Sequence, residues 1–272
     1  MNYIDIHGHI NFDDYSADRE EVIKRAQEGG VGIISVGTGL ESSRAAIKLA
    51  EIHENMWAVV GIHPTDTASD VAHDEFEAIK KLATHQKVVA IGECGLDYFH
   101  SKPDDIPKQK DLFEKHIMLA NEVHKPLMLH VRNAKPNSQG GSVAIDPSEH
   151  NAYQEVISML KKTARVRSNF HFFAGTIQDA QDIVAMGNTI SFTGVLTFAR
   201  NYDGIVKSVP VTSIMSETDC PYVAPIPFRG KRCEPVHVIE TVKKIAEIRG
   251  ESLDAVEKQL LENARALFDL NF

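Results

Sequence analysis

The chain has 272 residues, 43% hydrophobic and 25% charged, which is enough apolar content for a large core and excludes a disordered chain. A formal net charge of −9, from 29 Lys and Arg against 38 Asp and Glu, argues against a protein that coats duplex nucleic acid by charge alone. No apolar run nears the ~18 residues of a membrane span, and Asp5 sits where a signal peptide would be apolar.

Eight short apolar or β-branched runs recur, with helical spacing between them. Residues 3–6 lead to a helix over 18–28 that carries Val22, Ile23 and Ala26. Residues 32–36 lead to a helix over 42–53, with Ser42 and Ser43 as candidate caps. The runs at 57–61 and 88–92 precede helices over 74–83 and 108–124. The fifth run, 127–129, opens into a Pro-, Asn-, Ser- and Gly-rich stretch, 133–150, which reads as a long rim loop. Helical patterns at 153–160 and 177–186 alternate with runs at 168–170, 189–192 and 213–216. A Pro, Gly and Arg loop then leads to helices over 236–249 and 253–268. This alternation predicts a single α/β domain over residues 1–272: a TIM-like (β/α)8 barrel with an extra C-terminal helix.

On that scheme the chemical residues fall at strand ends. His7 and His9 follow the first run, His63 the third, Glu93 the fourth, His130 the fifth, His171 the sixth and Asp219 the eighth. In a barrel those ends converge on one mouth. His7, His9, His130 and His171 with Glu93 and Asp219 exceed what one ion takes, and suit two divalent ions sharing a carboxylate. His7 and His9, two apart on an extended segment, face one side and reach one ion. A single histidine at a strand end is more often a satisfied interior residue; six ligand-type side chains at such ends are not.

His53, His73, His85, His100, His116, His124, His150 and His237 read as exposed polar positions. Three scattered cysteines predict a reducing cytoplasm. Cys94 and Cys220, beside proposed ligands, read as packing residues; Cys233 reads as a loop residue. Gly37-Thr38-Gly39 lacks the third glycine of a dinucleotide loop, since position 42 is serine, and reads as a tight turn. No GxSxG elbow occurs.

Motifs in order along nearly the whole chain resemble the TatD-type metal-dependent hydrolases of the amidohydrolase superfamily. They are DIHGH (5–9), GIHP (61–64), GECGLDY (92–98), LHVRNA (129–134), HFFAG (171–175), SETDCPY (216–222), RGKRCEP (229–235) and NARALF (263–268). The resemblance implies a divalent-metal centre and phosphodiester hydrolysis, of the 3'-5' exonuclease type. It also implies that His7, His9, Glu93 and Asp219 hold one ion and that Glu93, His130 and His171 hold the other. Departures lie near the mouth: HGHIN for HCHLD-like sequences, Thr65 for a frequent second histidine, Phe172 and Ala174 for Cys and Ser, and Cys233 for Asn.

Asp219 and Glu93 are then expected to be catalytic, with Asp219 accepting or orienting the proton of the attacking water. His63 could contact phosphate, protonate the leaving oxygen or serve structure. Arg132, Arg200, Arg229, Lys231 and Arg232 on rim loops could pair with phosphate, the alternative for RGKR being a loop latch. Asp97 and Tyr98 read as supports behind the ligands, and Asn263 and Arg265 as packing residues. The two ions stay open among Zn, Mn and Mg; mixed His and carboxylate ligands suit Zn, Mn or Fe, and Mg is less at home among imidazoles. Expected partners are DNA, single-stranded or at its ends, or a small phosphoester, with no membrane and no obligate protein. The same ligands could instead serve an amide, lactone or aminoacyl ester.

Overall fold

A computed structural model of the chain describes residues 1–68, 71–135 and 150–271; most of the expected 133–150 rim loop lies outside them. The elements run β1 (Tyr3–Gly8), α1 (Arg19–Glu28), β2 (Val31–Val36), α2 (Leu40–Ile52), β3 (Met56–Val60) and α3 (Val71–Ala83). They continue with β4 (Val88–Asp97), α4 (Ile106–Val123), β5 (Leu127–Arg132), α5 (Ala152–Thr163), β6 (Ser168–Phe170) and α6 (Ile177–Ala185). The last are β7 (Thr189–Phe192), α7 (Asp203–Ser208), β8 (Ile214–Ser216), α8 (Val238–Arg249) and α9 (Leu253–Phe268).

All eight strands are parallel, in the order β1 to β8. The ring closes through a bridge between Gly8 and Cys220, with His9 N–H donating to the Cys220 carbonyl (2.8 Å) and Asp219 N–H to the His7 carbonyl (2.9 Å). This is the TIM-like barrel that the alternation predicts. Its strands read as continuous apolar runs because both faces are covered: β2 and β3 are buried throughout. Ile33, Ile91, Leu127 and Ile190 belong to the layer under the helices. Ile4, Ile34, Val59, Met128 and Met215 fill the inside, where Ala264, Leu267 and Phe268 of α9 pack on them. Asn263 secures that plug, donating to the Val211 and Ile214 carbonyls at 2.8 and 2.7 Å.

Three details depart from the sequence reading. Helix α7 leaves no signal in the sequence pattern; six residues with a glycine show no amphipathic stripe. Helix α2 starts two residues early, and Ser42 acts from inside its first turn, accepting from the Thr38 and Gly39 amides (2.9 and 3.0 Å). His116 and His237 are buried rather than exposed. His116 bridges two backbones, accepting from Ile62 N–H (3.1 Å) and donating to the Leu112 carbonyl (2.8 Å), while His237 stacks on Phe228. Among the described residues no helix is long and apolar enough to cross a membrane.

Candidate metal centre

Two bulges aim the first candidate ligands. Between Asp5 and Gly8, β1 holds one residue more than its β2 partner, and β4 does the same against β5 between Ile91 and Cys94. Each extra residue turns the chain locally, at His7 and at Glu93. Glu93 therefore lies within β4, which runs on to Asp97, and not after the strand as its sequence position implies. Gly92 makes that bend possible: its φ is +152°, and a Cβ there would fall on the Met128 carbonyl oxygen.

Glu93 divides its oxygens between two sets of side chains. Its Oε2 lies 3.3 Å from His7 Nε2 and 3.6 Å from His9 Nε2. Asp219 Oδ1 completes that side, 3.5 Å from His9 Nε2 and 3.9 Å from His7 Nε2. The other oxygen, Oε1, faces His171 Nε2 at 2.7 Å, His130 Nδ1 at 3.0 Å and His63 Nε2 at 3.6 Å. Among the described residues three overlapping groups have ligand geometry: His7, Glu93 and His171; His7, His9 and Asp219; His63, Glu93 and His130.

Hydrogen-bond partners fix which nitrogens carry protons. His9 Nδ1 lies 3.0 Å from the Val36 carbonyl, which only accepts, so its Nδ1 is the N–H and a neutral ring aims its Nε2 lone pair at the two carboxylates. His130 Nε2 lies 2.9 Å from Asp97 Oδ2, so its Nδ1 lone pair faces Glu93. His7 Nε2 and His9 Nε2 meet at 3.3 Å, and His171 Nε2 and His130 Nδ1 at 3.4 Å. Lone pairs converging on carboxylates repel unless a proton or a cation lies between them, and this donor set fits divalent ions. His63 is the exception: its Nδ1 accepts from Thr65 N–H at 3.2 Å, so its Nε2 carries hydrogen and points a donor at the centre.

Ionisation follows the same logic. Burial raises the Glu93 carboxyl, but His171, His7 and His63 outweigh it and hold the group well below the usual range. Burial likewise opposes, and His9, His171 and His7 outweigh, in lowering Asp219. His171 is raised well above an ordinary histidine because Glu93 and Glu217 overcome its burial, and Asp97 and Glu93 raise His130. His7 and His63 go the other way through burial, with help from His171 and His130 respectively; His63 falls to about 3. Without ions the centre holds protons, which metals displace.

A ring of supports lies behind the ligands. Asp97 Oδ2 accepts from both His130 Nε2 and His100 Nδ1, each at 2.9 Å. His100 is exposed, as its loop position implies, and through Asp97 it also joins the support of the site. Buried Glu217 accepts from Phe172 N–H (2.6 Å) and Ser191 Oγ (2.7 Å) and lies 3.4 Å from His171 Nδ1. Buried Asp5 accepts from the amides of His7 (3.2 Å) and Thr218 (2.9 Å) and from the Thr218 hydroxyl, tying β1 to the chain after β8. Asp5 and Glu217 stand inside the DIHGH and SETDCPY motifs, but sequence assigns them no role.

The centre floors a cavity of about 890 Å³ whose walls include His63, Arg132, Phe172, Tyr202 and Tyr222. Of the five basic residues expected on the rim, Arg132 lines this cavity, its guanidinium 4.0 Å over the Phe99 ring. Arg229, Lys231, Arg200 and Arg232 are not among its walls. Arg232 pairs with Asp18 at 2.6 Å and covers Tyr15, which makes part of RGKR a latch. Arg200 pairs with Asp203, and Arg229 lies 4.1 Å over Phe198. All three cysteines are buried, Cys233 included.

The family model described as TatD related DNase matches residues 4–269. The chain belongs to this family. It is 36% identical over 273 residues to the uncharacterized metal-dependent hydrolase YabD of Bacillus subtilis, across 98% of this chain and 99% of that one. It is 32% identical over 277 residues to the 3'-5' ssDNA/RNA exonuclease TatD of Pantoea ananatis, with 98% and 99% covered. The crystal structure of YJJV, a TatD homolog from Escherichia coli K12, superimposes with a TM-score of 0.84 at 28% identity, covering 99% of each chain. The chain is thus a metal-dependent hydrolase of the TatD family, and its His, Glu and Asp clusters are consistent with a binuclear centre.

Proposed function

We propose that this TatD-family hydrolase removes nucleotides from the 3' end of single-stranded DNA or RNA, cleaving phosphodiesters with two divalent ions. The observation that carries the reading is the division of Glu93, one oxygen toward His7, His9 and Asp219 and the other toward His130 and His171. Those residues would hold one ion on each side. Such ions supply acidification of water and neutralisation of charge developing on phosphate oxygens. The relative from Pantoea ananatis, matched end to end, supports nucleic acid as the substrate.

The protein's own groups do the rest. Asp219 is ionised and lies on the cavity wall, so it accepts the proton of the attacking water. His63 is neutral and donates from Nε2 to a phosphate oxygen. A neutral imidazole is a poor acid, so holding the phosphate suits His63 better than protonating the leaving oxygen. Arg132, lining the cavity beside Phe99, pairs with the next phosphate along the strand. Phe12 stacks on His9 at 4.5 Å and limits access to that ligand from the mouth.

The test is degradation of end-labelled single strands and duplexes with and without divalent ions, beside Glu93→Ala as control. Wild-type shortening from the 3' end, lost in the variant and with chelator, is the expected result. No shortening by protein carrying both ions would overturn the reading and move the substrate to a carbonyl compound or a small phosphoester.

A further inference from the structure

We propose that the loops after β7 and β8 form a preformed shelf on which unpaired bases stack while the strand's end lies in the cavity. The inference rests on the single-strand reading above. Among the described residues six large apolar side chains are exposed: Ile52, Met118, Ile177, Phe198, Tyr222 and Ile226. The last four lie in segments that follow β6, β7 and β8, and therefore on the mouth side of the barrel. Apolar side chains scattered singly need no explanation, but a group along one arc beside a charged cavity marks a binding surface.

The two loops are built as one unit. Ile226 N–H donates to Thr197 Oγ1 at 2.9 Å, and that hydroxyl donates to the Gly194 carbonyl at 2.7 Å. Gly194 packs so closely on Pro225 that a Cβ would lie 2.8 Å from that ring. Arg229 donates to the Ala224 carbonyl at 2.9 Å and holds its guanidinium 4.1 Å over Phe198, which is still 39% exposed. Tyr222 leaves the turn anchored by its N–H on the Asp219 carbonyl (3.0 Å), lines the cavity and is 52% exposed. Among the described residues its side chain has neither a hydrogen bond nor a ring partner. Two aromatic rings are thus held at the mouth, Phe198 with Arg229 over one face and Tyr222 with no ring partner among the described residues, and both stay open to solvent.

Charge and shape identify the occupant. The chain is acidic overall at −9, yet Arg229 lies against one of these rings and the exposed Lys231 follows it. An apolar shelf edged by cations fits a polyanion with flat apolar faces, which is an unpaired polynucleotide. A duplex keeps its bases stacked on one another and would leave the shelf idle.

The experiment uses metal-loaded protein and a ten-nucleotide single strand with phosphorothioate linkages, which resist hydrolysis, carrying a fluorophore at its 5' end. One abasic site is walked along the strand, and affinity is read by fluorescence anisotropy. An abasic site at one or two positions near the 3' end should weaken binding by about tenfold, and elsewhere should not. In Phe198→Ala and in Tyr222→Ala that sensitivity should shrink. Binding indifferent to the abasic position would overturn the shelf, as would sensitivity that persists undiminished in both variants; the abasic series on wild type needs no variant to fold. Degradation of an unmodified strand together with base-indifferent binding would overturn the shelf alone. Base-dependent binding without degradation would overturn the nuclease reading alone.

Discussion

Asp97→Asn perturbs the centre through a residue that stands behind His130 and outside the three candidate ligand groups. Its Oδ1 accepts from the amides of Phe99 and His100, both at 2.8 Å, and an asparagine oxygen can keep both bonds. Its Oδ2 accepts from His130 Nε2 and His100 Nδ1 at 2.9 Å, and becomes an NH2 donor in the variant. His130 then accepts at Nε2 and moves its proton to Nδ1, the nitrogen aimed at Glu93 Oε1. A protonated nitrogen offers a metal no lone pair. Loss of such a partner lowers metal affinity about 10–100-fold, or roughly 1.4–2.7 kcal/mol. Calorimetric titration of stripped protein with Mn or Zn should show one site weakened by that amount and the His7, His9 and Asp219 site unchanged. Equal weakening of both sites, or of neither, would refute the tautomer argument. His100→Ala, which deletes the other donor to the same oxygen, should leave both affinities intact.

Metal-free protein should lose stability as pH rises above about 6.5, the unfolded histidine value, because folded His171 and His130 keep protons that the unfolded chain releases. Buried Asp5, raised to about 8 by desolvation, acts in the same direction. Ions replace those protons, so metal affinity should climb with pH; melts with and without chelator test both, and a metal-free Tm that rises with pH contradicts the scheme. Gly92→Ala should destabilise the fold by about 3 kcal/mol or more in urea unfolding, through its φ of +152° and the blocked Cβ site. An unchanged midpoint would show that the bend before Glu93 does not need glycine. His116→Leu strands the buried Ile62 N–H and should cost about 1–3 kcal/mol, with metal binding preserved. A loss of metal without a loss of stability would reverse that assignment.

The barrel was legible because parallel strands buried on both faces leave continuous apolar runs, and the meeting of His7, His9, Glu93, His130, His171 and Asp219 was legible because each stands at the end of such a run. What the runs did not carry were features set by partners distant in the chain. Nothing in GECGLDY says that β4 continues past Glu93, since a bulge is defined by its pairing with β5. His100 is exposed, as its loop position implies, yet bonds Asp97, a partner that its neighbours in sequence do not reveal. His116 stands at helical spacing from Leu112 and Ala120 on the apolar stripe of α4, a signal of burial that its polar ring masks, and it bonds the Ile62 amide of the β3–α3 segment. Arg132 and Arg232 both read as rim cations in sequence, yet one lines the cavity and the other closes on Asp18, the residue that precedes α1. The proton positions on His9, His63 and His130, which separate ligands from donors, depend on Val36, Thr65 and Asp97, and two of those three lie far away in sequence.

The seam where β1 meets β8 is also where candidate ligands from the two ends of the chain come together. Asp5 and Thr218 are bonded there across 213 positions of sequence, next to His7, His9 and Asp219. An ion held by those three side chains would cross-link a loop that spans most of the polypeptide, and it could be held only after the last pair of strands has met. Binding must therefore favour the closed ring over any form with that seam open. Amide exchange at Gly8, His9 and Asp219 should slow on metal addition more than exchange at the β2–β3 pairing, where no ion spans the strands. Such an ion would act on this barrel as a clasp acts on a bracelet, and its release would be felt first at the chain's two ends.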